Sequence, residues 1–208
     1  MKVITSLAFV MAVWPCGLIS AGSALAQKAP VPPRSPSSAE SQGSKMKRSS
    51  SRGRDLEAVD KSFVRHAASG GIAEVKLGEL AQEKGSSRAV KEFGKRMKKD
   101  HSQAGGQLKE VASKNNIAVP EVMDTKDQAT YDQLSKLSGE EFDQVYAQLM
   151  VTDHEQDIEE FKTQASTGGN PDVKRFASST LPTLQDHLRQ AREMEKSVSA
   201  KKSSKNFE

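Results

Sequence analysis

Between Leu56 and Lys196, apolar residues return at every third or fourth position, and glycine, asparagine and proline cluster where that rhythm stops. The interruptions are Gly85-Ser86-Ser87, the run from Asn115 to Pro120, and Gly168-Gly169-Asn170-Pro171. A period of three to four belongs to a helix with one buried stripe, and strand-like alternation is sparse. A chain patterned this way can hide its apolar stripes only by packing helix against helix.

The first long helix is expected from about Leu56 to Lys84, with Phe63, Ala67, Gly70, Leu77 and Ala81 on its buried line and Gly85 as its stop. Glu74 falls on that line too. The second is expected from about Ser87 to Lys114, along Val90, Phe93, Met97, His101, Ala104, Leu108 and Val111. Gly105-Gly106 weakens its later half. A short helix follows over about Lys126 to Leu137, with Thr125 and Gln128 placed as a capping box. Ser138 and Glu141 form a second such box, opening a long helix that ends near Thr167 and buries Ala147, Met150, His154, Ile158, Phe161 and Ala165. Asn170 as cap and Pro171 at the first position start the last helix, along Val173, Phe176, Thr180, Leu184, His187, Ala191 and Met194. Pro182 should kink or split it, because proline cannot donate to the carbonyl of Ser178. The expected fold is all-α: a ferritin-like four-helix bundle with a short extra helix between helices 2 and 3. The long connection could cross the bundle, or the order could be up-down-up-down.

The ends of the chain read differently. Lys2, the apolar run Val3 to Val13 and Ala24-Leu25-Ala26 make residues 1–26 a secretory signal with cleavage expected before Gln27. The expected location is therefore the periplasm or cell envelope. Cys16 is the one cysteine and leaves with that segment, so the mature chain has no thiolate for a disulfide, a metal or a nucleophile. Residues 27–54 carry seven basic residues and one acid, with Pro30, Pro32, Pro33 and Pro36 and almost no large apolar group. They are expected to stay disordered, as is the basic tail 197–208. The segment 55–196 holds 20 basic and 25 acidic residues, so the overall +4 averages an acidic domain and basic ends. The arm could contact an anionic envelope surface or act as a plain solubilising tether. It lacks the interleaved aromatics of a nucleic-acid binder.

Three of the four histidines follow an aspartate: Asp100-His101, Asp153-His154 and Asp186-His187. Phe93-x3-Met97-x2-Asp100-His101-x-Gln103 is matched at identical spacing by Tyr146-x3-Met150-x2-Asp153-His154-x-Gln156. His101, His154, His187 and Glu74 each occupy a position where the apolar period calls for a core residue, near the middle of its helix. Burying them is costly unless they bind one another, water or a metal. One reading makes these four the ligands of an iron, manganese or zinc ion, with Asp100, Asp153 and Asp186 behind them. Met97 and Met150 would instead suit copper, though methionine at that spacing commonly fills core. The other reading is a buried polar network that sets helix register. His66 lies off the buried line. No hydrolase elbow, phosphate loop or dinucleotide fingerprint occurs, and no catalytic residue is assigned.

The stretch Phe63-Val64 … Ala67 to Gly78, Val90-Lys91-Glu92-Phe93 … Asp100-His101, Gly139 … Phe142-Asp143 … Tyr146 … Asp153-His154 and Leu181-Pro182-Thr183-Leu184 … His187-Leu188 resembles the bacterial envelope proteins of domain-of-unknown-function family 4142. The resemblance implies a ferritin-like bundle and export, and no established activity. Di-iron members of that superfold use Glu-x-x-His, whereas Lys98, Val151 and Leu184 stand three residues before these histidines.

Overall fold

The structure, a computed structural model, describes the backbone of residues 40–205 and the side chains of 57–201. The signal segment and the first part of the arm lie outside the described residues. Five helices follow one another: α1 Glu40–Lys84, α2 Arg88–Lys114, α3 Thr125–Leu134, α4 Gly139–Thr167 and α5 Pro171–Lys205.

The helix ends differ from expectation in instructive ways. The backbone of α1 begins at Glu40, inside the stretch read as a disordered arm; from Glu40 onward that stretch has no proline. At the other end α5 continues past Lys196, and Val198 is buried in the core. Pro182 leaves α5 unbroken. Pro182 and Ser178 are both exposed, so water can take the carbonyl that proline leaves free. Neither expected capping box forms. Asp124 rather than Thr125 caps α3, its carboxylate accepting from the Asp127 amide at 2.8 Å. Ser138 precedes α4 without a side-chain cap bond. Gly139 has φ +64° there, a conformation that favours glycine. Asn170 does cap α5, its Oδ1 accepting from the amides of Asp172 and Val173.

Side-chain contacts fix the topology. The end of α2 lies at the α4–α5 turn, where Asn170 Nδ2 donates to Asn115 Oδ1 at 2.7 Å. The start of α4 lies at the α1–α2 turn, where Gly85 bridges to Gly139. The connection carrying α3 therefore crosses the length of the bundle, and the order is up-down-down-up. α1 pairs with α2, α4 with α5, and α3 rests on α1 and α4. In this order the diagonal helices α2 and α4 run parallel. That explains the repeated motif: equal spacing brings like residues to like levels. The rings of Phe93 and Tyr146 lie 6.3 Å apart, and those of His101 and His154 5.9 Å.

A different repeat locks the hairpins together. Asp60 of α1 accepts from Gly169 N at 3.1 Å, Asn170 N at 2.7 Å and Gln164 Nε2 at 2.5 Å. Asp143 of α4 accepts from Ser86 N at 2.9 Å, Ser87 N at 2.8 Å and Ser86 Oγ at 2.6 Å. Each hairpin's turn is thus held by the first helix of the other hairpin. Within the first hairpin the backbones meet at Gly78 and Gly94. A Cβ on Gly78 would stand 2.5 Å from the Gly94 carbonyl, and one on Gly94 2.7 Å from that of Gly78.

The apolar core falls into two clusters. One contains Leu77, Phe93, Met97, Phe142, Tyr146, Met150 and Met194. The other contains Phe63, Leu108, Ile158, Phe161, Val173, Phe176 and Leu184. Each long helix passes from one cluster to the other, and at the crossing each carries a polar residue: Glu74, His101, His154 or His187.

Candidate metal centre

His154 and His187 are fully buried, and Glu74 and His101 are 3% and 8% exposed. The three histidines each offer a ring nitrogen such that the three atoms lie within 4.8 Å of one another. Glu74 meets two of them: its Oε2 is 2.7 Å from His101 Nδ1, and its Oε1 is 3.6 Å from His154 Nε2. His66 lies at the surface, 3.4 Å from Glu160.

The hydrogen-bond partners determine where the protons sit. His154 Nδ1 is 2.9 Å from the Met150 carbonyl. A carbonyl only accepts, so Nδ1 carries the hydrogen and Nε2 a lone pair. His187 Nε2 is 3.0 Å from Asp100 Oδ2. The Asp100 carboxyl is held below its ordinary range: burial works the other way, but hydrogen bonds from His187 and Arg96 outweigh it. It is therefore a carboxylate, His187 Nε2 donates to it, and His187 Nδ1 carries a lone pair. These two lone-pair nitrogens, His154 Nε2 and His187 Nδ1, stand 3.3 Å apart. Burial pulls His154 down to about 3 and His187 down to about 4, so both rings favour the neutral form near neutral pH.

His101 is likewise pulled by burial to about 4. The Glu74 carboxyl is pushed well above its ordinary range by burial first and then by Asp153 and Asp127. These directions favour the neutral form of both groups, with the Glu74 proton facing His101 Nδ1 across their 2.7 Å contact. Glu74 Oε1 and His101 Nε2 are buried without a hydrogen-bond partner, as is the Tyr146 hydroxyl.

The aspartates preceding the histidines take three different roles. Asp100 reaches across to His187 on α5 rather than to its own neighbour. Asp186 lies one step further back, accepting from Arg96 Nη1 at 2.7 Å while Arg96 Nε donates to Asp100 at 3.1 Å. Asp153 bonds no histidine among the described residues and faces the charges of Asp127 and Lys126 on α3. The reason is helical geometry: one residue is about 100° of rotation, so each aspartate points to a different interface from its histidine. Sequence reading missed Arg96, which needs a cross-helix view. It also missed Asp157, whose carboxyl is pushed well above its ordinary range by burial and then by Glu74 and Asp153. The signal for Asp157 is its place one turn after His154, on the same face.

A cavity of about 40 Å³ adjoins Glu74 and His101 between the four long helices. That volume admits a water molecule. Among the described residues no helix is long and apolar enough to cross a membrane.

No functionally curated protein matches the chain. Two crystal structures of DUF305 proteins share its fold. For the one from Streptomyces coelicolor the TM-score is 0.58 at 15% identity, covering 68% of this chain and 94% of that one. For a fragment from Deinococcus radiodurans it is 0.58 at 17%, covering 68% and 96%. At such identity the likeness speaks for the helical fold alone. The profile described as "Domain of unknown function (DUF4142)" matches residues 45–194. With most of the bundle inside that match, the chain belongs to the DUF4142 family.

Proposed function

We propose that this protein is an exported helical bundle that binds one divalent transition-metal ion at His101, His154, His187 and Glu74. The observation that carries the reading is the approach of His154 Nε2 and His187 Nδ1 to 3.3 Å, while the other nitrogen of each ring faces an acceptor, the Met150 carbonyl or the Asp100 carboxylate. Two lone-pair nitrogens so placed repel unless a cation stands near both. His101 Nε2 and Glu74 Oε1 are buried beside them and unpartnered. Loss of the proton between Glu74 and His101 would complete a set of three imidazoles and a carboxylate. Nitrogen and oxygen donors of this kind suit zinc, iron or manganese. Asp100 supports the site from behind by holding His187 in the tautomer that leaves Nδ1 free. The role is binding rather than turnover, and the signal at residues 1–26 would place it in the periplasm or envelope.

The competing reading is a structural network with no metal, supported by the chain His187–Asp100–Arg96–Asp186. Metal analysis of the mature chain, purified without a His-tag from the periplasm, separates the two. The metal reading expects about one equivalent in the parent and a loss of most of it in a His154→Ala/His187→Ala variant. A metal-free parent whose melting temperature ignores added zinc, iron and manganese leaves the network. The arm would then be the part to probe, against anionic vesicles.

A further inference from the structure

The polar layer has two unlike sides. On the α2–α5 side Arg96 lies across it, bound to Asp100 and Asp186. A guanidinium there repels an approaching cation. Away from Arg96 lies the cavity, lined from all four long helices, and neither Arg96, Asp100 nor Asp186 lines it. Its lining includes Glu160, which is 40% exposed and faces His66 at 3.4 Å, together with Asp157 and the buried Glu74 and His101. Two of these lining residues carry buried atoms without partners among the described residues, Glu74 Oε1 and His101 Nε2. Its walls include Gly71 and Gly105, where a Cβ would meet nothing within 4 Å.

We propose that this cavity is the loading route for the metal, with Asp157 as an oxygen donor that holds an incoming divalent cation on its way to Glu74. The proposal rests on the metal-binding reading above. Its logic is coordination: Glu160, Asp157 and Glu74 line one cavity and offer an incoming divalent cation several oxygen donors on the way to the histidines. Asp157 is a positioning residue here, outside the final ligand set. Its removal should therefore slow arrival more than it weakens holding.

The test is stopped-flow association of Zn²⁺ with chelator-stripped mature chain at low ionic strength, read by competition with a chromophoric chelator, alongside equilibrium affinity. The variants are Asp157→Asn, Gly105→Leu as a plug, and Glu79→Gln as a charge control. Glu79 lies on α1, half-exposed, paired with Lys98. The expected result is a fall of roughly tenfold or more in association rate for Asp157→Asn and for the plug. Stoichiometry stays unchanged, and affinity drops by a smaller factor. The control stays at the parental rate. Should the plug fail to fold, the near-isosteric Asp157→Asn carries the test alone. Zinc bound by the parent at a rate Asp157→Asn leaves unchanged overturns the route and spares the site. A parent that binds no zinc overturns both.

Discussion

At the scale of the residue, the centre is a matter of which nitrogen carries hydrogen. The Met150 carbonyl and the Asp100 carboxylate each take the hydrogen of one ring nitrogen, and so aim the opposite lone pair of His154 and His187 inward. Asp100 is not one of the four proposed ligands, yet through its bond to Nε2 it decides what His187 offers. Replacing it by asparagine keeps the shape but lets the side chain present either an oxygen or an amide, so the tautomer of His187 is no longer dictated. Asp100→Asn should weaken metal affinity by about 10- to 100-fold while leaving the stoichiometry at one, as titration with a competing chelator would show. An unchanged affinity would mean that Asp100 only anchors Arg96. This part of the site was half legible: the histidines and Glu74 stand on the apolar line of the sequence, but that Asp100 serves the histidine of another helix could not be seen from adjacency.

At the scale of the element, hairpin turns and glycine crossings set the registration of the layer. Asp60 and Asp143 each take two backbone amides from the opposite hairpin. Truncation to alanine strips the turn of those acceptors, and hydrogen bonds to charged groups contribute about 1.5–3 kcal/mol each before water replaces some of them. Asp143→Ala and Asp60→Ala should each cost about 2–3 kcal/mol in urea unfolding, and Asp60→Asn less than Asp60→Ala. The glycines of the bundle divide by the same logic. Gly78→Ala forces a methyl onto the Gly94 carbonyl and should destabilise by about 1–3 kcal/mol. Gly106→Ala meets open space on a helix and should stabilise by about 0.5–1 kcal/mol. Equal effects of the two substitutions would refute the close crossing of α1 and α2. All of these glycines look alike in sequence; only the approach of a second backbone tells them apart.

At the scale of the whole molecule, a polar layer between two apolar clusters makes stability depend on pH. The three rings are neutral in the fold, with values near 4, 3 and 4 against an ordinary 6.5. As pH falls below 6.5 the unfolded chain binds protons that the folded chain refuses, so this contribution is present above 6.5 and is lost on the way down to about 4. Glu74 works in the opposite sense: its raised value contributes stability that is full below 4.5 and lost as pH rises through the folded value. Below pH 6.5 the histidines therefore dominate. Metal-free parent should lose stability between pH 6.5 and about 4.5 more steeply than His154→Leu, by up to about 3 kcal/mol for that one ring. Parallel pH profiles in urea denaturation would show that His154 is not buried neutral. The bundle that encloses the layer was largely foreseeable, since three- and four-residue periodicity and the breaks at Gly85 and Gly168 mark its hairpins. The direction of the long connection was not: up-down-up-down and the crossover share the same helix pattern, and the choice shows only where Asn115 meets Asn170 and Gly85 meets Gly139.

By itself the sequence determined the helices, their buried lines and the presence of one costly polar residue in the middle of each, because helix periodicity is local and every third or fourth residue must face the same way. Tertiary structure alone decided that α2 and α4 run parallel, that Asp100 serves His187, that Arg96 bars one side of the layer and that Asp157 lines the other. Those are facts about which side chains meet across helices far apart in the chain. Contact of that kind depends on how the hairpins dock, and docking is set by the summed packing of two cores and two aspartate clamps rather than by any local run of residues.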